Sequence, residues 1–248
     1  QVHKAPLMRC YAVYMPGNEE VEFIWTHHHM YLDGWSMAIV LKELFDPIMH
    51  NTPTPTYQSY VAWLKQQDME KAQSFWRARL QGFSAHTPLP MAVAAPISGD
   101  NDHAYFKEVQ RASIADTQRL QKFSRANQLT ANTVIQAAWS LLLSRHSRES
   151  DVVFGSTASG RAVSSLKNVE HIVGLLINTT PVRATVEESS KLSSWLKTLQ
   201  QQQFDASQFE WSPLEKIQSW SAVPNGSPLF ESLVVFENYP IEDQQNTM

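Results

Sequence analysis

The chain has 248 residues, 43% of them hydrophobic and 18% charged, enough to bury a sizeable core and too apolar for disorder over most of its length. Its formal net charge of −4, with Lys and Arg dispersed, provides no basic patch of the kind nucleic-acid binding needs, which argues against a nucleic-acid partner. No apolar run reaches the ~18 residues that cross a bilayer and no signal peptide opens the chain, so no membrane partner is expected; the single cysteine, Cys10, reads as a core thiol suited to a reducing cytoplasm.

A strand is predicted from Leu7 to Met15, close behind Gln1, and the abrupt start suggests excision from a longer polypeptide. A second strand follows from Glu20 to Thr26, where Val21, Phe23 and Trp25 alternate with Glu20, Glu22 and Thr26 in the period of a half-buried strand. His27 and His29 share the apolar parity, so His28 is expected to point the other way. After Asp33 the period changes, and Met37, Val40, Leu41, Leu44, Phe45 and Ile48 recur at helical spacing. The three histidines and Asp33 therefore lie where a strand gives way to a helix, a junction that holds side chains rigidly.

Beyond a loop with Pro53 and Pro55, a helix is predicted from Tyr57 to Leu80. The stretch from His86 to His103, with Pro88, Pro90, Pro96 and Gly99, is the composition shift that reads as a linker between lobes. A strand (Tyr105 to Ala112), a helix (Ile114 to Asn127) and a second helix from Thr130 to Arg145 follow. Asp151 to Gly155 reads as a buried strand, Pro181 to Val186 as another, Leu192 to Phe209 as a helix and Leu229 to Phe236 as a strand. The Gln200 to Gln203 run is expected to be the solvated face of its helix, since glutamine is a competent helix former. Strands mixed with helices, without βαβ alternation or a Gly-rich phosphate loop, predict an α+β architecture.

The signature His28-His29-x-x-x-Asp33-Gly34-Trp35-Ser36 resembles the core motif of condensation domains of nonribosomal peptide synthetases. Further blocks resemble that family in the same order: Tyr57 to Trp63, Asp151 to Gly155 leading to Ser159-Gly160-Arg161, Val173 to Arg183, and Pro228 to Glu231 with Phe236 to Pro240. The resemblance implies a chloramphenicol acetyltransferase-like two-lobed fold. In that frame residues 1–90 are the remainder of an N-terminal lobe, 91–103 the interlobe linker and 104–248 a C-terminal lobe, and the domain is expected to be incomplete at both ends. It also implies peptide bond formation between thioesters on a donor and an acceptor peptidyl carrier protein domain, beside an adenylation domain. No cofactor is expected on the chain itself; 4′-phosphopantetheine arms are presented by the partner carrier proteins.

That reaction needs an amine, a carbonyl held near it and a way to handle the charges of the tetrahedral state. An imidazole, with an ordinary pKa of about 6.5, can orient or deprotonate an α-amine whose pKa is about 7.7 to 8.0. A thioester is already an activated donor, and holding the reactants together can by itself supply effective molarities of roughly 10⁵ to 10⁸ M. By the resemblance His29 is the catalytic histidine, with joint positioning and general-base work, and His28 is structural. Asp33 has two readings: it orients His29, or it anchors the motif loop, as the family's salt-bridge partner of a distant arginine. Arg183 is the first choice for that arginine and Arg161 the second. Gly34 either starts the helix with special backbone angles or leaves room for a substrate arm. Trp35 is read as packing ahead of contact, and Trp35, Ser36 and Asn238 are the substrate-tunnel candidates.

A metal site is set aside: His28 faces away from its neighbours in an extended strand and no HExxH pattern is present. A coenzyme-A-dependent acyltransferase of the same fold shares the His-x-x-x-Asp core, and a non-catalytic carrier-binding relative would keep the surface alone. The additional blocks and the intact His29, Asp33 and Gly34 favour condensation over both.

Overall fold

Short polar residues write five of the helix starts among the described residues. In the computed structural model, which describes residues 4–17, 20–45, 54–89, 107–162, 166–224 and 226–237, α1 spans Gly34–Phe45, α2 Tyr57–Leu64, α3 Met69–Arg79, α4 Ile114–Ala126 and α5 Ala131–Ser147. Each is preceded by a residue whose side-chain oxygen accepts the amide three positions on. Asp33 takes Ser36 N, Thr56 takes Ser59 N, Asp68 takes Lys71 N, Ser113 takes Asp116 N and Thr130 takes Thr133 N. These satisfy amides that the first turn of a helix leaves without partners. The single helix expected over Tyr57–Leu80 is two, because Asp68 caps a new start and the chain turns through Gln66 and Gln67.

Two compact units result, each assembled from separated stretches of chain: Gln1–Gln67, Ser159–Asn178 and Glu237–Met248 form the first, Asp68–Ala158 and Thr179–Phe236 the second. The linker expected at 91–103 lies outside the described residues.

The first unit holds the antiparallel hairpin β1 (Met8–Tyr14) and β2 (Val21–His27), with Cys10 opposite Trp25 and Met8 opposite His27. Its face is more open than the alternating pattern implies: Val21 is 49% and Phe23 50% exposed, since no layer among the described residues covers them. Cys10 is exposed on β1, not a core thiol, for the same reason. The unit's own core gathers Tyr60 of α2 with Val169, Ile172 and Leu176, around a short 3₁₀ turn at Val169–His171.

In the second unit β3 (Asp151–Ala158) lies between β4 (Asn178–Thr185) and the short β5 (Leu233–Val234), the latter parallel to it. The Val-Val-Phe run of β3 is buried on both faces. Val152 and Phe154 pack with Leu196 and Leu199 of α6 (Leu192–Ser207), whereas Val153 joins Trp76, Leu80 and Ile217, the last from α7 (Leu214–Trp220). Opposite faces of one strand thus feed two cores, the arrangement that yields a continuous apolar run instead of alternation. Gly155 admits the Phe230 ring, which a Cβ would meet at 2.4 Å. The strand expected at Leu229–Phe236 shortens to β5, and residues 107–112, expected in a strand, lie in no regular element.

Of Gln200–Gln203 only Gln201 is on a solvated face. Gln200 Oε1 accepts from Thr130 N, Gln203 accepts from Thr133 Oγ1 and donates to Gln136 Oε1, and Gln202 takes Arg79. Gln136, 2% exposed, donates in turn to Ser156 and Asn132, so its amide is satisfied throughout. A buried amide is tolerated only when so matched.

Candidate active site

The motif region is organised around a carboxylate that leaves the strand-to-helix junction and goes inward. Asp33 is 1% exposed. Its Oδ1 accepts from Ser36 N at 2.8 Å and Arg161 Nη2 at 3.0 Å. Its Oδ2 accepts from Arg161 Nη1 at 2.8 Å, Leu176 N at 2.9 Å and Ile177 N at 3.2 Å. A carboxylate offers about four lone-pair sites, so this one is fully occupied. Burial pushes its pKa up, but the Arg161 guanidinium and the Ser36 and Leu176 amides outweigh that and hold it below the ordinary carboxylate value.

The partner of Asp33 is therefore Arg161, and the preference for Arg183 is corrected. Arg183 sits on β4 and spends its guanidinium on Asp151 of the neighbouring β3, with Nη2 2.6 Å from Oδ2, and on the carbonyls of Arg79 and Gln81. The Asp151 hydrogen bond raises its pKa above the usual arginine value. Arg161 is buried among acceptors. Besides Asp33 it donates to Ser159 O, Ile172 O and Ser36 Oγ, and its guanidinium carbon lies 5.6 Å from the centre of the Trp35 ring, within cation–π reach. Its Nε is buried without a hydrogen-bond partner. Gly160, at φ +67°, lets the chain turn into this position, and a Cβ there would meet Leu176 O at 2.0 Å.

Trp35 donates from its indole to Glu170 O at 2.9 Å, and its ring lies under the Arg161 guanidinium. Ser36, expected at the substrate tunnel, is fully enclosed. Its hydroxyl donates to Gly174 O at 2.8 Å and accepts from Gly174 N at 3.0 Å and from Arg161, so it is a structural residue of this cluster. Gly34 opens α1, and the left-handed glycines among the described residues are Gly17, Gly82, Gly160 and Gly226, so the special-angle reading of Gly34 falls away. Asn238 lies outside the described residues.

The histidines stand apart from this buried set. β2 ends at His27, whose ring lies 5.3 Å from that of Trp25, so strand alternation does not extend to His28 and His29. A turn follows: Met30 N donates to His28 Nδ1 at 3.2 Å and Tyr31 N to His28 O at 3.1 Å. His28 thereby braces the turn, and His29 projects from it exposed, with no hydrogen bond to Asp33 among the described residues. Sequence reasoning missed the hydroxyl of Ser36 and the backbone of Gly174–Ile177. Their only signal is the Gly174 and Gly160 pair flanking apolar runs, where close backbone approach demands glycine.

The Condensation domain family model matches residues 1–248. The chain is 43% identical to a linear gramicidin synthase of Brevibacillus parabrevis over 249 residues, 97% of this chain and 5% of that protein's length. Among solved structures, a holo four-domain nonribosomal peptide synthetase bound to AMP and glycine superposes with a TM-score of 0.75 at 18% identity, covering 96% of this chain and 18% of the other. The condensation domain from a Monacolin K polyketide synthase gives a TM-score of 0.69 at 16% identity over 92% of this chain and 56% of that one. The chain thus spans a small part of the gramicidin synthase and about half of the isolated condensation domain, and its mixed α and β elements follow the fold of these structures. With the family model matched along the entire sequence, the chain belongs to the condensation-domain family.

Proposed function

We propose that this chain forms amide bonds in nonribosomal peptide synthesis, between an aminoacyl or peptidyl thioester on a donor carrier protein and the amine of an aminoacyl thioester on an acceptor carrier protein. The observation that carries the reading is the intact His28-His29-x-x-x-Asp33-Gly34 motif in a chain of this family, with Asp33 wholly consumed by structure and His29 left free at the turn. In this reaction the acceptor nitrogen attacks the thioester carbonyl carbon, the C–N bond forms, the C–S bond breaks and the donor arm leaves as a thiol. The nitrogen loses a proton, which a neutral imidazole can take from it and pass to the departing sulfur. His29 does this work and also orients the amine; Asp33 does not share it. Gly34 leaves room for a substrate arm beside the motif, and Asn238 and the outer edge of Trp35 are proposed to face the substrate.

The 4′-phosphopantetheine arms enter as part of the substrates, carried by the partner domains, and activation of the amino acids falls to an adenylation domain. No helix among the described residues is long and apolar enough to cross a membrane, and the proposed location is the cytoplasm.

The test is product formation between two loaded carrier proteins by the full-length synthetase containing this chain. His29→Ala is expected to abolish dipeptide formation while leaving the melting temperature unchanged. A His29→Ala protein that turns over at the parental rate would remove the assignment. Carrier binding without product in the unaltered protein would instead point to a non-catalytic binding module.

A further inference from the structure

An imidazole is useful only where its backbone is held, and the turn carrying His29 is held from both sides. Upstream, His28 N donates to Leu7 O at 2.8 Å, fixing the turn to the end of the hairpin. Downstream the chain dives through Leu32, 7% exposed, into Asp33 and the first turn of α1. What fixes that downstream end is the segment Gly174–Ile177, whose backbone is gripped by side chains. Asp33 takes the amides of Leu176 and Ile177, Tyr57 donates its hydroxyl to Leu175 O at 3.1 Å, and Ser36 Oγ bonds both the N–H and the carbonyl of Gly174. Gly174 has no room for a side chain, since a Cβ would meet the Tyr57 ring at 2.2 Å.

Within this clamp Ser36 has a place no other residue shares. It is 0% exposed, it lies on α1, and its hydroxyl joins three groups: the Gly174 amide, the Gly174 carbonyl and Arg161 Nη2. Alanine there would leave the Gly174 amide and carbonyl short of a partner in the interior, where unmatched polar groups are costly, while Arg161 Nη2 would keep Asp33 Oδ1 and Ile172 O. The first turn of α1 could then settle elsewhere only by shifting relative to Gly174–Ile177, and Asp33 and the His28–Tyr31 turn would shift with it.

We propose that Ser36 is a positioning residue for His29: its hydroxyl locks the start of α1 to the Gly174–Ile177 backbone and so sets where the His29 imidazole meets the amine. The inference rests on the reading of His29 as the reacting base. Displacement of a reacting group by about 1 Å can cost about 10²-fold in rate, so the effect belongs to the chemical step and not to carrier binding.

The experiment is a single-turnover measurement with both carriers loaded, on the full-length synthetase. Ser36→Ala is expected to slow the rate constant about 10- to 100-fold with the product amplitude retained, and Ser36→Thr, which keeps the hydroxyl, to recover most of it. A parental rate constant with reduced amplitude would mean only fewer folded molecules and would overturn the proposal, as would a parental rate and amplitude. Should Ser36→Ala fail to fold, Tyr57→Phe carries the test, because it deletes one hydroxyl of the same clamp at a residue 40% exposed. An unchanged rate constant there overturns the proposal, and a several-fold slower one supports it. If the unaltered protein makes no dipeptide at all, it is the condensation reading that fails, and the two failures are told apart.

Discussion

Two arginine–aspartate pairs in this protein have nearly the same chemistry and opposite settings. Arg161 and Asp33 have side chains 3% and 1% exposed, whereas Arg183 and Asp151 are 19% and 34% exposed. The buried pair draws in backbone amides, carbonyls and a serine hydroxyl until nearly every polar atom is matched; the other ties β4 to β3 and uses two carbonyls of the Arg79–Gln81 turn. Two charges can leave water together only if the protein replaces the lost hydration group by group, and the motif residues around Asp33 supply that replacement.

The largest effect expected from this contrast is on stability. Asp33→Ala or Arg161→Ala leaves an unmatched buried charge, at a cost of about 3 to 5 kcal/mol, read as a lowered urea midpoint. A variant of either residue that unfolds at the parental midpoint would break the comparison. Arg183→Ala is expected to cost about 1 to 2 kcal/mol, because water can reach Asp151 once its partner is gone.

Acid sharpens the contrast further. The pKa of Asp33 lies below its ordinary value of 3.8, so the unfolded chain takes up this proton before the native one does. The contribution of the carboxylate is complete above about pH 5, declines as pH falls through 3.8, and is lost below the depressed native pKa. Urea unfolding between pH 5 and 3 should show a decline in the parent that is shallower in Asp33→Asn. The smallest effect is that of salt: the cost of Arg183→Ala should shrink by a few tenths of a kcal/mol in 1 M NaCl, while that of Arg161→Ala stays fixed. Equal salt responses would show the two pairs to be electrostatically alike.

Much of the fold was legible because it is local. The change of period after Asp33, the Asp151–Gly155 run and the helical stretches Ile114–Asn127 and Thr130–Arg145 mark α1, β3, α4 and α5 in the sequence alone. The motif also pointed to the right carboxylate. What it could not say was which arginine meets Asp33, since Arg161 and Arg183 lie 128 and 150 positions away and each stands in a block resembling the family. Pairing at that distance is decided by tertiary packing. The same limit applies to Gln200–Gln203, where a polar run looks solvated until α5 is seen to present Thr133 and Gln136 to it. The break between α2 and α3 was legible in principle, since Asp68 is a good cap, but the apolar spacing across it favoured one helix.

The pairing of Cys10 with Trp25 across the hairpin has a practical consequence. Cys10 is the only cysteine of the chain, it is exposed, and directly opposed residues of an antiparallel pair share a face, so a dye attached to this thiol sits beside an indole that in turn abuts His27. Indole quenching of such a dye would report separation of the two strands at nanosecond resolution, next to the histidine run and without altering any motif residue. Reagents that alkylate thiols will, for the same reason, mark this hairpin before any other part of the chain.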